Sequence, residues 1–172
     1  GRDVYAAARV AQIMLYAGVK DVRILDGGWK AWSEANLPVE RGMPADVKPA
    51  PDFGAPIPGQ PQLMIDMAHA RGMLHRQDAS LVSIRSWPEF TGETSGYSYI
   101  KPKGEIAGAR WGHAGSDATH MEDFHNPDGT MRSADDIAAM WKSWNILPEQ
   151  HVAFYCGTGW RASEGFMYAR AM

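Results

Sequence analysis

The sequence has little cysteine and no long apolar stretch. Its 172 residues contain one cysteine, Cys156, which excludes an internal disulfide framework and a cysteine-rich zinc module. No run of about 18 apolar residues is present, so the sequence predicts no transmembrane helix. The formal net charge is −3, which leaves no broad basic surface for a phosphate backbone. We therefore expect neither nucleic acid nor a membrane among its partners.

Apolar segments of strand length alternate with amphipathic segments of helix length. The predicted strands are residues 22–25, 81–84, 106–111 and 151–155. The predicted helices are residues 4–17, 29–35 and about 66–76, one that opens at Ser133, and one that begins at about Ala162. Met67, Ala70 and Met73 are expected to face the core, as are Trp141 and Trp144. Strands that alternate with helices favour an α/β fold with a doubly wound parallel sheet.

Proline usage divides the chain into two units. Residues 44–61 hold six of the eleven prolines, which favours an extended, semi-rigid linker between residues 1–43 and residues 62–172. The last ten residues resemble residues 4–14 in pattern, so the chain begins in one repeat and ends in the next. Since it starts at Gly1 rather than at a methionine, the chain was either processed or cut from a longer protein, and we expect the second.

Cys156 follows a predicted strand and precedes a glycine-containing loop and a helix. In open α/β sheets, ligands bind beyond the carboxyl ends of the strands, where loop N–H groups and a helix N-terminus favour negative charge. Such a place favours the thiolate, the nucleophilic form of cysteine. Gly157 and Gly159 let the backbone curl around the sulfur, and Thr158 can donate a hydroxyl hydrogen bond. Arg161 is expected at the rim, where its charge suits an oxyanion.

The alternative for Cys156 is a buried, inert thiol. The glycines and the arginine that follow it argue against that interpretation. Four residues separate Cys156 from Arg161. The corresponding loops of cysteine phosphatases and arsenate reductases are longer and accommodate a tetrahedral phosphate. The shorter loop therefore favours a persulfide sulfur over a phosphoryl group.

The pattern Cys156-x-x-Gly159-x-Arg161-Ala162 resembles the active loop of the rhodanese family. Four further segments resemble that family: residues 25–32, 81–85, 87–92 and 104–109. Together they are similar to bacterial tandem-repeat thiosulfate/3-mercaptopyruvate sulfurtransferases. Ser83 stands where the family has an aspartate that orders Arg85. Glu89 stands about where some two-domain members have a substrate-binding arginine, so no binding role is expected for it.

The resemblance implies a rhodanese-like doubly wound sheet and a double-displacement reaction. Residues 62–172 would be a catalytic unit that lacks its closing elements, and residues 1–43 the C-terminal half of an upstream rhodanese-like unit. The Cys156 thiolate would take sulfur from thiosulfate or 3-mercaptopyruvate and pass the persulfide sulfur to cyanide or a thiol. The substrate-binding loop would comprise Gly157, Thr158, Gly159, Trp160 and Arg161, with Arg85 as support. No cofactor and no metal is expected.

Several alternatives remain open at this point. Trp160 either walls the donor pocket or packs in the core. The unit is either an enzyme or a non-catalytic sulfur carrier and interaction unit, and less plausibly a cysteine phosphatase or arsenate reductase. Residues 1–43 belong to an upstream unit of the same or another chain, or else fill the gap in the second unit. The resemblance leans towards the periplasm, with the cytoplasm as the alternative.

Overall fold

A parallel sheet forms the centre of the molecule. The computed structural model describes residues 4–43 and 48–172, and within them the sheet has three strands. Strand β1 (Ala79–Ser83) lies between β2 (Arg110–Trp111) and β3 (His151–Tyr155), and both neighbours run parallel to it. All three carboxyl ends therefore lie at one edge, where ligands of such sheets bind.

The central strand β1 is buried along its whole length, although it contains two serines. The hydroxyl of Ser80 donates to Gln150 Oε1 at 2.7 Å, and that of Ser83 accepts from Arg85 Nε at 2.9 Å. Because each buried hydroxyl has a partner, the strand avoids the cost of an unsatisfied polar group.

Six helices surround the sheet in the described part of the chain. They are α1 (Val4–Ala17), α2 (Gly28–Glu34), α3 (Met67–Met73), α4 (Trp87–Thr91), α5 (Ala134–Lys142) and α6 (Trp160–Ala171). Helix α5 begins where the sequence predicts, since Ser133 accepts from the N–H of Asp136 at 3.2 Å. On its inner face Trp141 is buried and donates from Nε1 to the Gly112 carbonyl at 3.1 Å.

Two apolar clusters hold these elements together. The larger combines side chains of β1, α5 and the 3₁₀ turn Glu122–Phe124 with Tyr168 of α6. The smaller joins Ala8, Ala11 and Leu15 of α1 to Met167 of α6. A polar contact reinforces the second cluster, because Ser163 donates its hydroxyl to Gln12 Oε1 at 2.9 Å. Helix α1 therefore packs directly on the helix that follows Cys156.

The predicted fold class, an α/β fold with a parallel sheet, is confirmed. The helix at residues 4–17 and the strand at 151–155 have the predicted bounds. Gly18, with φ of 105°, ends α1 in a left-handed conformation that favours glycine. The side chain of Val4 lies outside the described residues, and so do residues 1–3 and 44–47, including Pro44 of the predicted linker. The division into units at 44–61 stays a prediction.

Four local predictions are wrong. Residues 22–25 form no strand, because no described strand lies beside them to pair with; Val22 and Ile24 pack instead against the α1–α6 cluster. Met67 is 73% exposed, since it is the first residue of a short helix. The strand at 106–111 shrinks to β2, because Ala109 donates its N–H to the Ile106 carbonyl in a turn. The last helix begins at Trp160, not at Ala162.

None of the described helices is both long enough and apolar enough to cross a lipid bilayer.

Candidate active site

Cys156 lies directly after β3, at the carboxyl edge of the sheet, and is half-buried. The backbone N–H of Gly159 donates to its Sγ at 3.1 Å. Gly159 is also the N-cap of α6, with φ of 85°, a left-handed conformation that favours glycine. The sulfur therefore faces an amide donor and the positive end of a twelve-residue helix.

Position 157 favours glycine for a steric reason. A Cβ at this position would lie 2.2 Å from Cε2 and 2.6 Å from Cζ of Tyr97. The Tyr97 ring therefore lies against the backbone of the loop that follows Cys156. Any side chain at position 157 would force the ring or the loop to move.

Arg161 is not at the rim of the site, and that prediction is wrong. Arg161 is 1% exposed, because α6 begins at Trp160 and its first turn directs the Arg161 side chain inward. Nη1 and Nη2 donate to the two carboxylate oxygens of Glu89 at 2.9 and 2.8 Å. Nη2 also donates to the Tyr97 hydroxyl at 3.0 Å, and Nη1 to the Asp117 carbonyl at 3.1 Å. The guanidinium therefore joins four segments of the chain.

The pair is ionised despite its burial. Burial alone would raise the pKa of Glu89. The hydrogen bonds from Arg161 and Ser86, together with the positive charge of Arg161, lower this pKa below its ordinary value. Burial alone would lower the pKa of Arg161, whereas Glu89 raises it. Glu89 also accepts from the N–H and hydroxyl of Ser86 at 3.0 and 2.7 Å, which closes a capping box on α4.

Arg85 fastens the end of β1 to the neighbouring loop. Its Nη2 donates to the Gly104 carbonyl at 2.8 Å and to Glu105 at 3.0 Å. Glu105 also accepts from the hydroxyl of Tyr155, the residue before Cys156. Burial and this carboxylate raise the pKa of Tyr155. Glu105 thus supplies the carboxylate that Ser83 does not, and the supporting role of Arg85 at the active site stays a prediction.

Trp160 and Thr158 are on the surface beside the loop. Trp160 is 45% exposed, so the interpretation as a core residue is wrong. Its ring contacts that of Tyr5 of α1 edge to face, with centroids 6.3 Å apart. Thr158 is exposed.

Tyr97 also lines a cavity of about 550 Å³. Six of its ten lining residues carry a hydroxyl group: Ser86, Thr94, Tyr97, Ser98, Ser116 and Thr119. Asp117 adds a carboxylate, whose pKa the Thr119 N–H and the His120 ring lower to about 2. This carboxylate is therefore ionised at neutral pH, with the His120 ring 2.7 Å away, and the lining suits a neutral or cationic polar molecule.

The histidines of residues 113–125 pair with neighbouring acids or with α6, and Glu122 accepts from Ser116. His120 contacts Asp117 at 2.7 Å, and His125 contacts Glu164 of α6 at 2.5 Å. Within residues 4–43 and 48–172, no three side chains of these types come together as metal ligands.

Sequence reasoning assigned no role to three residues that surround the loop: Arg9, Glu89 and Tyr97. The spacing Ser86-x-x-Glu89 is a capping-box signal and locates Glu89 on a helix N-terminus. Tyr97 lies in the Gly-, Ser- and Tyr-rich segment, and Arg9 on a helix distant in sequence. No local pattern connects these two residues with Cys156.

Comparison with known proteins gives the family. The chain is 85% identical over 172 residues to thiosulfate sulfurtransferase YnjE of Escherichia coli (strain K12) and spans 40% of that protein. It matches the crystal structure of YnjE over its whole length with a TM-score of 0.95. The chain belongs to the rhodanese family. No family model matches it.

Two other similar proteins are described as carrying sulfur. A structure of EanB with a persulfide on a cysteine, in a tetrahedral intermediate state with ergothioneine, matches 98% of the chain at 46% identity and a TM-score of 0.92. The chain covers 38–40% of the EanB chains. The sulfur carrier protein TtuD of Thermus thermophilus is 26% identical over 154 residues, which are 88% of this chain and 52% of TtuD.

The EanB structures include variants of a tyrosine and of a threonine. Along the EanB chain, the tyrosine precedes the persulfide cysteine by the number of residues that separates Tyr97 from Cys156. The threonine follows that cysteine at the spacing of Thr158 from Cys156. The two chains therefore share the sequence spacing of a tyrosine, a cysteine and a threonine.

Replacement of Glu89 by glutamine should destabilise the protein in a pH-dependent way. The variant leaves Arg161 buried without a carboxylate, which costs about 3–5 kcal/mol at neutral pH. Because the folded-state pKa of Glu89 lies below the ordinary 4.5, its contribution is complete above that pH and is lost as the pH falls through the folded-state value. Urea unfolding of both proteins over a pH series measures the difference.

The matched control is Glu93→Gln, which changes an exposed carboxylate nearby. It should alter the free energy of unfolding by less than about 0.5 kcal/mol. A difference between Glu89→Gln and the parent protein that stays constant into acid would contradict the ion pair.

Replacement of Gly157 by alanine should displace Tyr97. The added methyl group would overlap a ring that Arg161 holds by its hydroxyl, at a cost of about 1–3 kcal/mol. Gly72→Ala is the control, because a Cβ there meets nothing within 4 Å. Thermal unfolding of both variants measures the cost. In a Tyr97→Ala background the penalty of Gly157→Ala should disappear; an equal penalty there would rule out this contact.

Proposed function

We propose that the chain carries the catalytic cysteine of a sulfurtransferase that holds sulfane sulfur on Cys156 as a persulfide. The observation that carries this proposal is the Sγ of Cys156, half-buried at the carboxyl edge of the sheet, with the Gly159 N–H 3.1 Å away. An amide donor and a helix N-terminus stabilise an anionic sulfur without a metal ligand or a second thiol. The 85% identity to a thiosulfate sulfurtransferase supports it.

The proposed reaction has two displacements. In the first, the Cys156 thiolate attacks the outer sulfur of thiosulfate; a new S–S bond forms, the S–S bond of the donor breaks, and sulfite leaves with the electron pair. With 3-mercaptopyruvate the C–S bond breaks instead, and pyruvate leaves after protonation of its carbon. In the second, a thiophilic acceptor such as cyanide or a thiol attacks the outer sulfur, and the Cys156 thiolate is released. The Gly159 N–H stabilises the thiolate at both ends of the cycle.

A second candidate function differs in its acceptor. Structures of EanB contain hercynine or ergothioneine, and EanB shares the spacing of Tyr97, Cys156 and Thr158. The cavity beside Tyr97 is lined by hydroxyls and by the Asp117 carboxylate, which suits the trimethylammonium end of an imidazole betaine. The persulfide and an imidazole C–H would then give the Cys156 thiol and an imidazole thiol, a balanced exchange that needs no further oxidant.

A sulfur-carrier role without turnover is the remaining alternative, supported by the likeness to TtuD. In either case we infer that residues 1–43 are the end of an upstream rhodanese-like unit, of the same or another chain, and that residues 62–172 are the catalytic unit. Helix α1 of the first segment packs on α6 of the second, which supports a shared role of both segments at the loop.

Treatment with thiosulfate or 3-mercaptopyruvate should add one sulfur atom to the protein, and Cys156→Ser should abolish the gain. The serine hydroxyl is not ionised at neutral pH and forms no persulfide. Intact-mass spectrometry measures the gain, and thiocyanate release from cyanide measures turnover. Met67→Ser, which removes an exposed sulfur far from the loop, is the control and should behave as the parent protein. Turnover retained in Cys156→Ser would overturn the proposal.

The loaded protein then distinguishes the acceptors. Release of sulfur to cyanide or to a dithiol supports the first candidate. Release to trimethyl histidine, detected as the thione absorbance and lost in Tyr97→Phe, supports the second. A stable persulfide that none of these acceptors discharges supports the carrier.

A further inference from the structure

The arginines predicted for the site are both engaged elsewhere. Arg161 is buried against Glu89, and Arg85 is paired with Glu105. Thiosulfate and 3-mercaptopyruvate are anions, and a cation near Cys156 would stabilise their charged ends. Under the proposed function, a different cationic side chain near the loop would therefore strengthen donor binding.

Arg9 of α1 lies at the loop. Its Nη1 and Nη2 are 3.5 and 3.9 Å from the position that a Cβ of Gly159 would occupy. Gly159 is the residue whose N–H contacts the Cys156 sulfur at 3.1 Å. A single loop residue thus lies between the guanidinium and the sulfur, a gap that a donor attached at Sγ can bridge.

The Arg9 side chain is held in place but its charge is not neutralised. Nη1 donates to Gln12 Oε1 at 2.9 Å, and the Gln12 amide is fixed by Ser163 at 2.9 Å and by the Leu63 carbonyl at 3.4 Å. Among the described ranges 4–43 and 48–172, no carboxylate forms an ion pair with Arg9. The guanidinium is half-buried, so it keeps donors free for a ligand while it is partly shielded from water.

A small cavity lies beside Arg9 and Gly159. It measures about 340 Å³ and lies between α1, β3 and α6, with Arg9, Gln12, Gly159 and Ser163 among its lining residues. The only side chain among these four with a full charge is Arg9. The cavity is therefore positive, whereas the cavity on the Tyr97 side of the loop carries the Asp117 carboxylate.

We propose that Arg9 binds the anionic end of the sulfur donor and thereby selects anionic donors for Cys156. Its planar fork would hold the oxygens of the sulfite portion of thiosulfate, or the carboxylate of 3-mercaptopyruvate, while the transferred sulfur meets the thiolate. This inference rests on the proposed function. It assigns to α1, which the sequence places in a different unit, a part in the chemistry of Cys156.

Substitution of Arg9 tests the inference by single-turnover loading of Cys156. Arg9→Gln should raise the thiosulfate concentration for half-maximal loading by about tenfold or more, since a charge-assisted contact is lost. Arg9→Lys, which keeps the charge without the fork, should show a smaller rise. Discharge of the preloaded persulfide to the neutral thiol dithiothreitol should be unchanged, because the donor has already left.

Salt gives an independent readout. In the parent protein the half-maximal thiosulfate concentration should rise with ionic strength, and in Arg9→Gln this dependence should weaken. The control is Arg23→Gln, an exposed arginine of the same segment that pairs with Asp21 and should leave loading unchanged. Circular dichroism and thermal unfolding establish that each variant is folded; should Arg9→Gln not fold, Arg9→Lys decides.

The outcomes separate the two proposals. Unchanged half-maximal concentrations in the folded Arg9 variants, with normal loading of Cys156, would overturn the role of Arg9 and leave the proposed function intact. Failure of the parent protein to load sulfur from any donor would instead overturn the proposed function.

Discussion

The ion pair between Arg161 and Glu89 is the contact on which the geometry of the loop depends. It joins the first turn of α6 to the N-terminus of α4, and the same guanidinium holds the Tyr97 hydroxyl and the carbonyl of Asp117. A buried charge without its partner is costly, so each of these segments is constrained by the others. The loop from Cys156 to Gly159 is anchored at its end by this network and at its beginning by β3.

The same pair has an electrostatic consequence. Since Glu89 neutralises Arg161, the arginine of the loop contributes little field at the sulfur. The Gly159 amide, at the N-terminus of α6, donates to the Cys156 sulfur, and the guanidinium of Arg9 lies 3.5 Å from the position of a Gly159 Cβ. Tyr97 lies against Gly157 of the same loop and lines a cavity that also holds the Asp117 carboxylate.

The end of β1 is ordered by a carboxylate that comes from a different position in the sequence. Ser83 cannot form the ion pair with Arg85 that an aspartate would. Glu105 supplies the carboxylate from the next loop, and it also accepts from Tyr155 beside the cysteine. The carboxylate of such an ion pair can come from different positions in the sequence, because the pair depends only on the distance between the two charged groups in the fold.

The sequence by itself determined the features that depend on neighbouring residues. These are the parallel α/β class, the bounds of α1 and β3, the cap of α5, and a cysteine followed by a glycine-containing loop and a helix. Each follows from local periodicity, capping or turn chemistry. The tertiary structure alone decided which charges meet. Arg161 and Glu89 are 72 residues apart, and Arg9 reaches a loop near the other end of the chain only because α1 packs on α6. Because α6 starts at Trp160 and not at Ala162, Arg161 lies in its first turn and points inward, and no local pattern encodes that rotation or the partner it meets.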